Sequence, residues 1–121
     1  MKSILNKNYL LAWIITLITI ILIFYVSSIP ADQIPKMDFK YKSQLYHFGI
    51  FMILAFFSMI AFSKGRQNKE FVYVAILFSI VYALTDELHQ SFVFGRSMSV
   101  GDFLIDCLGI FTAFLLGKSL K

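Results

Sequence analysis

The feature that most constrains this chain is a stretch, residues 8–31, that contains no charged side chain. A helix needs about 20 mainly apolar residues to cross the hydrocarbon core of a bilayer, and this stretch is longer. A secretory signal peptide is the competing interpretation, because Lys2 and Lys7 precede the stretch and Ser27 and Ser28 lie near its end. A signal peptide, however, has an apolar core of only about 7–15 residues. The length therefore favours a membrane helix that is retained in the protein.

The composition of the whole chain also indicates a membrane protein. Of its 121 residues, 59% are apolar and 15% are charged, whereas soluble domains carry about 25% charged residues. A net charge of +4 is compatible with nucleic-acid binding, but the basic residues stand between apolar runs, as they do beside membrane helices. We therefore expect no nucleic-acid partner. The single cysteine, Cys107, excludes an internal disulfide and a cysteine-based metal site.

Three further apolar stretches complete the predicted architecture. Residues 43–63 are free of charge, whereas the two later stretches are too short to cross a bilayer unless they include acidic residues. The third helix must carry Asp86 and Glu87, and the fourth must carry Asp106. We predict a single all-α domain, residues 1–121, in which four transmembrane helices form a bundle with approximate bounds of 8–29, 43–63, 70–90 and 100–118.

The connections predict how the bundle is oriented in the membrane. Residues 28–42 contain two prolines that do not fit a helix interior, so they form a loop, and the basic residues 64–69 form a short turn. With both termini inside the cell, seven Lys and Arg residues lie on the inner side and four on the outer side. Because cytoplasmic segments carry the excess of positive charge, we predict a multi-pass protein of the cell membrane with both termini in the cytoplasm.

Polar residues collect at one end of the predicted bundle. His47 opens the second helix, Asp86 and Glu87 lie near the end of the third, and Asp102 and Asp106 lie near the start of the fourth. Because successive helices run in opposite directions, these positions fall on one membrane face, the outer one in the orientation above. At 1.5 Å per residue the acids lie within about 7 Å of the helix ends. We therefore expect a shallow polar pocket that water can reach.

The spacing of small residues predicts how the last two helices pack. Each of these helices has a stripe of residues three or four positions apart: Ala75, Ser79, Tyr82, Asp86 and Gln90 on the third, and Asp102, Asp106, Gly109, Ala113 and Gly117 on the fourth. Away from the acids both stripes consist of small residues, which let membrane helices approach closely. We therefore expect the third and fourth helices to form a tight hairpin, stripe against stripe, with a polar cluster at the outer face.

These polar side chains are candidates for chemistry, because a charge inside an apolar segment is costly unless it pairs, reaches water or reacts. The candidate catalytic residues are His47, Asp86 and Glu87, of which His47 or Glu87 would serve as the general base. Oxygen ligands of the kind that Mg²⁺ or Ca²⁺ prefers are supplied by the candidate metal ligands Asp86, Asp102 and Asp106. The candidate substrate-binding residues are Tyr82, Gln90, Arg96 and Ser99, of which Arg96 would hold a phosphate or carboxylate through two hydrogen bonds.

Structural interpretations stay open for several of these residues. Arg96 could simply neutralise one of the carboxylates. Ser99 followed three positions later by Asp102 resembles a capping box in which Asp replaces the usual Glu. A single histidine such as His47 is more often a satisfied polar residue than a catalyst, and His89 is expected to lie at the membrane interface without a special role.

The polar pattern resembles the VanZ-like family of small integral membrane proteins. That family has a Ser-and-Pro exit from the first helix, a His opening the second, then Y-x-x-x-D-E-x-x-Q, a turn with Arg, and S-x-x-D-x-x-x-N-x-x-G. These places are taken here by Ser28, Pro30, His47, Tyr82, Asp86, Glu87, Gln90, Arg96, Ser99, Asp102 and Gly109. Two features depart from the pattern: an Asp shortly before the His is absent, and Asp106 replaces the Asn. The additional acid favours a cation.

The resemblance implies a protein of the cell envelope, because the best-known family member is linked to low-level teicoplanin resistance. Two functions stay open. The protein would bind or modify a lipid-linked cell-wall precursor or a phospholipid headgroup at the outer leaflet, and so lower glycopeptide susceptibility. Alternatively it is a non-enzymatic membrane module, in which the polar cluster is structural and a partner protein carries the function. An oligomer is compatible with either. Ion translocation is disfavoured, because the stripes hold no ionisable group towards the inner side.

Overall fold

A computed structural model of the chain describes residues 8–33, 42–64 and 69–119. In these residues the chain forms four long helices and no β-strand. The helices are α1 (Tyr9–Ser27), α2 (Lys42–Ser63), α3 (Lys69–Gln90) and α4 (Val100–Ser119), and a short 3₁₀ helix, Ala31–Gln33, follows α1. The predicted all-α class with four helices is confirmed.

Each of these four helices is long and apolar enough to cross a membrane. They contain 19, 22, 22 and 20 residues, and at 1.5 Å per residue this corresponds to about 28–33 Å, the thickness of the hydrocarbon core. Large apolar side chains cover their outward faces, and Ile21, Leu77 and Leu108 are each more than half exposed. Such a surface is suited to contact with acyl chains. The protein is a multi-pass membrane protein.

The helix bounds lie close to those predicted from the sequence. The largest difference is at α1, which ends at Ser27 rather than near residue 29, because Pro30 disfavours helical geometry in the residue before it. The Gln33 amide donates to the Pro30 carbonyl at 3.0 Å and closes the 3₁₀ turn. The predicted loop and the predicted basic turn fall largely on residues 34–41 and 65–68, which lie outside the described residues.

The centre of the bundle is α2. It packs against α1, α3 and α4, and its most extensive interface is with α4, whereas α1 meets α3 over a smaller area. Phe51 and Leu54 of α2 are completely buried, and Ile23 of α1 and Ile110 of α4 pack in the same core. The predicted tight hairpin of α3 and α4 is therefore not confirmed, because the main partner of α4 is α2.

Gly109 allows α4 to approach α2 closely. A Cβ atom at this position would clash with the carbonyl oxygen of Phe48 and would lie 3.2 Å from the amide nitrogen of Met52. Glycine has no Cβ, so the two backbones can pack at this distance. On α3, the Ser79 hydroxyl oxygen likewise lies 3.4 Å from that of Ser58 in α2. Gly109 and Ser79, one small residue from each predicted stripe, thus both contact α2.

The turn between α3 and α4 depends on Gly95. Its φ of 74° lies in the left-handed region, which glycine adopts without a steric penalty. The next residue, Arg96, donates its amide to the Val93 carbonyl at 3.0 Å. This tight reversal places the first turn of α4 beside the last turn of α3.

Candidate functional site

Four ionisable side chains are buried together at the end of the bundle where α2 and α4 begin and α3 ends. They are His47, Asp86, Glu87 and Asp106, and each is at most 7% exposed. One nitrogen or carboxylate oxygen from each residue lies within 4.8 Å of those from the other three. We call these four residues the His–acid cluster. The fold assembles it from residues up to 59 positions apart in the sequence.

His47 is oriented by two acids of α4. Its Nδ1 lies 2.8 Å from Oδ1 of Asp106, whereas its Nε2 lies 3.7 Å from Oδ2 of Asp102, which is too long for a hydrogen bond. The Asp106 side chain is completely buried and that of Asp102 is 27% exposed. If Asp106 is ionised, the short contact requires a proton on Nδ1, so a neutral imidazole carries its lone pair on Nε2. His47 can therefore accept a proton or a ligand through Nε2.

Glu87 joins α3 to the first turn of α4. Its Oε2 accepts the backbone N–H of Ser99 at 3.0 Å, and Oγ of Ser99 in turn accepts the backbone N–H of Asp102 at 3.2 Å. Ser99 is therefore the N-cap of α4. The second half of the predicted capping box does not form, because Glu87 occupies the amide that the Asp102 side chain would bind. The Asp102 carboxylate faces His47 instead.

Buried polar atoms without partners concentrate at this end of the bundle. Within the described residues, three buried side-chain oxygens lack a hydrogen-bond partner, namely Tyr46 Oη, Glu87 Oε1 and Asp106 Oδ2, whereas the Ser27 hydroxyl lies beside the Asp86 carboxylate. Two of them belong to the His–acid cluster, and the Tyr46 ring packs edge-on against His47 with centroids 5.6 Å apart. An unsatisfied buried polar group costs about 1–3 kcal/mol, and native proteins keep few of them. A polar group or ion that bonded to these oxygens would remove this cost, which makes this end of the bundle the candidate site.

The charges of the His–acid cluster lead to the same conclusion. Two ionised carboxylates within 4.8 Å of each other repel by at least roughly 3 kcal/mol at an effective dielectric constant of about 20. The cluster holds three carboxylates, and a single imidazole carries at most one positive charge. The arrangement therefore favours a bound cation or bound protons.

A profile of the VanZ/LLP1 family matches residues 9–121. The chain belongs to the VanZ/LLP1 family. The match covers nearly the whole chain and confirms the resemblance that the polar residues indicated. No curated protein and no solved structure matches this VanZ/LLP1 chain.

The predicted substrate-binding residues of the VanZ/LLP1 protein mostly make contacts between helices. Tyr82 donates its hydroxyl to the Ile20 carbonyl at 2.7 Å, and Arg96 donates from Nη1 to the Ile29 carbonyl at 2.9 Å. Gln90 is buried, and Ser99 caps α4 as described above. Among the residues that the structure describes, Arg96 forms no ion pair with an acid of the cluster. The Arg96 guanidinium holds the backbone after α1, and its role in neutralising a carboxylate stays a prediction.

Sequence reasoning missed the contribution of α1 to this end of the VanZ/LLP1 bundle. The His89 ring stacks on Phe24 with centroids 4.8 Å apart. Its Nε2 lies 2.8 Å from Oγ of Ser28, and because that hydroxyl donates to the Phe24 carbonyl, His89 is the donor. A cavity of about 200 Å³ lies beside these residues and is lined by Phe24, Tyr82, Thr85, Asp86 and His89. Ser28, a position of the family pattern, was the one sequence signal for this contact.

The His–acid cluster differs in part from the predicted sites. All three candidate catalytic residues, His47, Asp86 and Glu87, lie in it. Of the predicted metal ligands, Asp86 and Asp106 lie in it, whereas Asp102 lies outside. The catalytic and metal-binding roles of these residues stay predictions for this VanZ/LLP1 protein.

Proposed function

We propose that this VanZ/LLP1 protein binds or modifies the polar headgroup of a membrane-embedded substrate, a phospholipid or a lipid-linked cell-wall precursor, at the outer leaflet of the cell membrane. The observation that carries the proposal is the buried His–acid cluster, with its unpaired oxygens, at one end of an otherwise apolar bundle. Polar headgroups of lipids lie at the level of helix ends. A substrate that is itself a lipid can therefore reach the cluster without leaving the membrane.

The cavity between α1 and α3 supports access from the bilayer. Asp86 belongs both to the wall of this cavity and to the His–acid cluster. Phe24, on the opposite wall, is 58% exposed at the lipid-facing surface. A volume of about 200 Å³ is below the ~300–1,000 Å³ of pockets that enclose a whole drug-sized ligand. It suits a headgroup whose acyl chains stay in the membrane.

The geometry gives the cluster residues different tasks. His47 is the candidate general base as long as Nε2 carries no other ligand, because Asp106 holds Nδ1 while Nε2 takes the proton. Glu87 fixes the start of α4 by accepting the Ser99 amide through Oε2. Its other oxygen, Oε1, has no hydrogen-bond partner within the described residues. Asp86 is the acid that a molecule in the cavity would contact first.

Teicoplanin susceptibility is the cellular readout that the VanZ-like resemblance suggests. We expect expression of the protein to lower susceptibility, and Asp86→Asn and His47→Asn to remove this effect while their abundance in the membrane stays near that of the parent. Asp32→Asn is the matched control, since Asp32 is an exposed acid of the 3₁₀ helix outside the cluster. The proposal fails if the cluster variants accumulate normally and still protect as the parent does.

A second candidate function is a structural membrane module that acts through a partner protein. Two contacts favour it, since the His47–Asp106 bond joins α2 to α4 and the Glu87–Ser99 bond joins α3 to α4. In that case the same substitutions would lower abundance and protection in proportion. Measuring both quantities for each variant, by quantitative blotting of membranes and by growth in teicoplanin, separates the two functions.

A further inference from the structure

We propose that the His–acid cluster binds one transition-metal dication of the Zn²⁺ or Mn²⁺ class, in preference to Mg²⁺ or Ca²⁺. The role of such an ion in holding a headgroup rests on the proposed function, whereas the ion itself is argued from the ligand atoms alone. Asp102, which the sequence suggested as a ligand, is not among them.

The spread of the ligand atoms fits a single ion. The four candidate atoms lie within 4.8 Å of one another. With metal–ligand bonds of about 2.1 Å, two ligands on opposite sides of one ion are about 4.2 Å apart. Side-chain shifts of less than 1 Å, roughly the difference between these distances, therefore bring all four residues into one coordination shell.

The donor set decides the class of the ion. His47 supplies an imidazole nitrogen, which Zn²⁺ favours and which Mn²⁺ accepts beside carboxylate oxygens, whereas Mg²⁺ and Ca²⁺ prefer shells made only of oxygen. The sequence predicted Mg²⁺ or Ca²⁺ because the three candidate ligands were all aspartates. In the fold, the ligand set contains His47 and Glu87 and does not contain Asp102. A dication would also reduce the formal charge of the three carboxylates from −3 to −1.

Two carboxylates of the cluster are already arranged as ligands. Oε2 of Glu87 is held by the Ser99 amide and Oδ1 of Asp106 is held by His47, while the second oxygen of each has no partner within the described residues. Both side chains are at least 99% buried, so bulk water does not satisfy these oxygens. A carboxylate oriented through one oxygen and unpaired at the other is typical of a preorganised metal ligand.

Binding of the metal alone tests the inference. Full-length protein in detergent is stripped with a chelator and titrated with ZnCl₂, MnCl₂, MgCl₂ or CaCl₂ by calorimetry, and the bound metal is counted after desalting. We expect one Zn²⁺ or Mn²⁺ per chain, bound at least about 100-fold more tightly than Mg²⁺ or Ca²⁺. Absence of stoichiometric binding, or equal affinity for Mg²⁺, would overturn the proposal and leave bound protons as the means of neutralising the cluster.

Variants identify the ligands. Glu87→Gln and Asp106→Asn should each weaken the affinity by at least about 100-fold, the upper end of the roughly 10–100-fold cost of disturbing an outer-shell partner. Asp102→Asn should weaken the affinity much less than these two substitutions, because Asp102 lies beside His47 without being a ligand, and the exposed control Asp32→Asn should bind as the parent does. If Asp102→Asn abolishes binding while Glu87→Gln does not, the ligand set proposed here is wrong.

Spectroscopy on the parent protein covers the case in which a variant does not fold. Pulsed paramagnetic resonance of the Mn²⁺ form should show nitrogen coupling from the His47 imidazole, and a spectrum without it would overturn the proposal. The outcome is separable from that of the proposed function. If the parent binds the metal and the cluster variants still protect normally, only the proposed headgroup function is refuted. If the cluster variants lose protection and the parent binds no metal, only the proposed metal site is refuted.

Discussion

Replacement of Gly109 by Ala tests the close packing that brings α4 against α2. The added methyl group would clash with the Phe48 carbonyl and lie 3.2 Å from the Met52 amide nitrogen, closer than the ~3.5–4.0 Å of favourable contacts. Both neighbours are backbone atoms, so the helices must separate to relieve the overlap. Overpacking of this kind typically costs about 1–3 kcal/mol. We expect Gly109→Ala to lower the free energy of unfolding by that amount.

Gly49 of α2 provides the matched control. A Cβ atom at this position would meet nothing within 4 Å, so Gly49→Ala adds a methyl group without a clash. Its effect should lie between no change and a gain of about 1 kcal/mol, the helix preference of Ala over Gly. Unfolding in detergent micelles is followed by circular dichroism and by the fluorescence of the single tryptophan, Trp13, which packs edge-on against Phe62 at 5.0 Å.

Comparing the stabilities of the two glycine variants tests whether the backbones of α2 and α4 are in contact. Equal stability of Gly109→Ala and Gly49→Ala would refute the backbone contact between α2 and α4. A second readout comes from the site itself, because Asp106 lies one turn before Gly109 and its bond to His47 spans the same two helices. If the helices separate, this 2.8 Å bond lengthens, and under the proposed function the protection against teicoplanin should fall along with stability.

Two further substitutions test single contacts in the same unfolding assay. Ser99→Ala removes the oxygen that accepts the Asp102 amide at 3.2 Å, so it should lower the free energy of unfolding by about 1 kcal/mol as the loss of an N-cap does; unchanged stability would mean that the cap does not form. Tyr82→Phe removes the hydroxyl that donates to the Ile20 carbonyl at 2.7 Å and should cost about 1 kcal/mol; a variant as stable as the parent would argue that Tyr82 does not attach α3 to α1.

The number of helices and the depth of the acidic residues along them could be predicted, because both depend on local properties of the sequence. The length of each apolar stretch sets a helix, and the third stretch can cross a bilayer only if it includes Asp86. The meeting of His47 with Glu87 and Asp106 follows from antiparallel neighbours, since the start of one helix then lies beside the end of another. No information on distant contacts is needed for these steps.

The pairing of the helices could not be predicted in the same way. A small residue such as Gly109 indicates that another helix approaches closely, but it does not indicate which one. Residues along α2 are apolar on most sides, so its sequence does not identify the face that each neighbour covers. Capping rules have the same limit, because they describe neighbours in the chain, whereas the Ser99 amide is bound by Glu87 from the preceding helix.

The attachment of α1 to the rest of the bundle has a consequence for how the protein can vary. Tyr82 and Arg96 both bind backbone carbonyls, those of Ile20 and Ile29, and every amino acid presents a carbonyl at these positions. Mutations that replace the two isoleucines leave both acceptors in place. Positions 20 and 29 can therefore change among apolar residues, for instance to match membranes of different thickness or fluidity, without loss of the two bonds that attach α1.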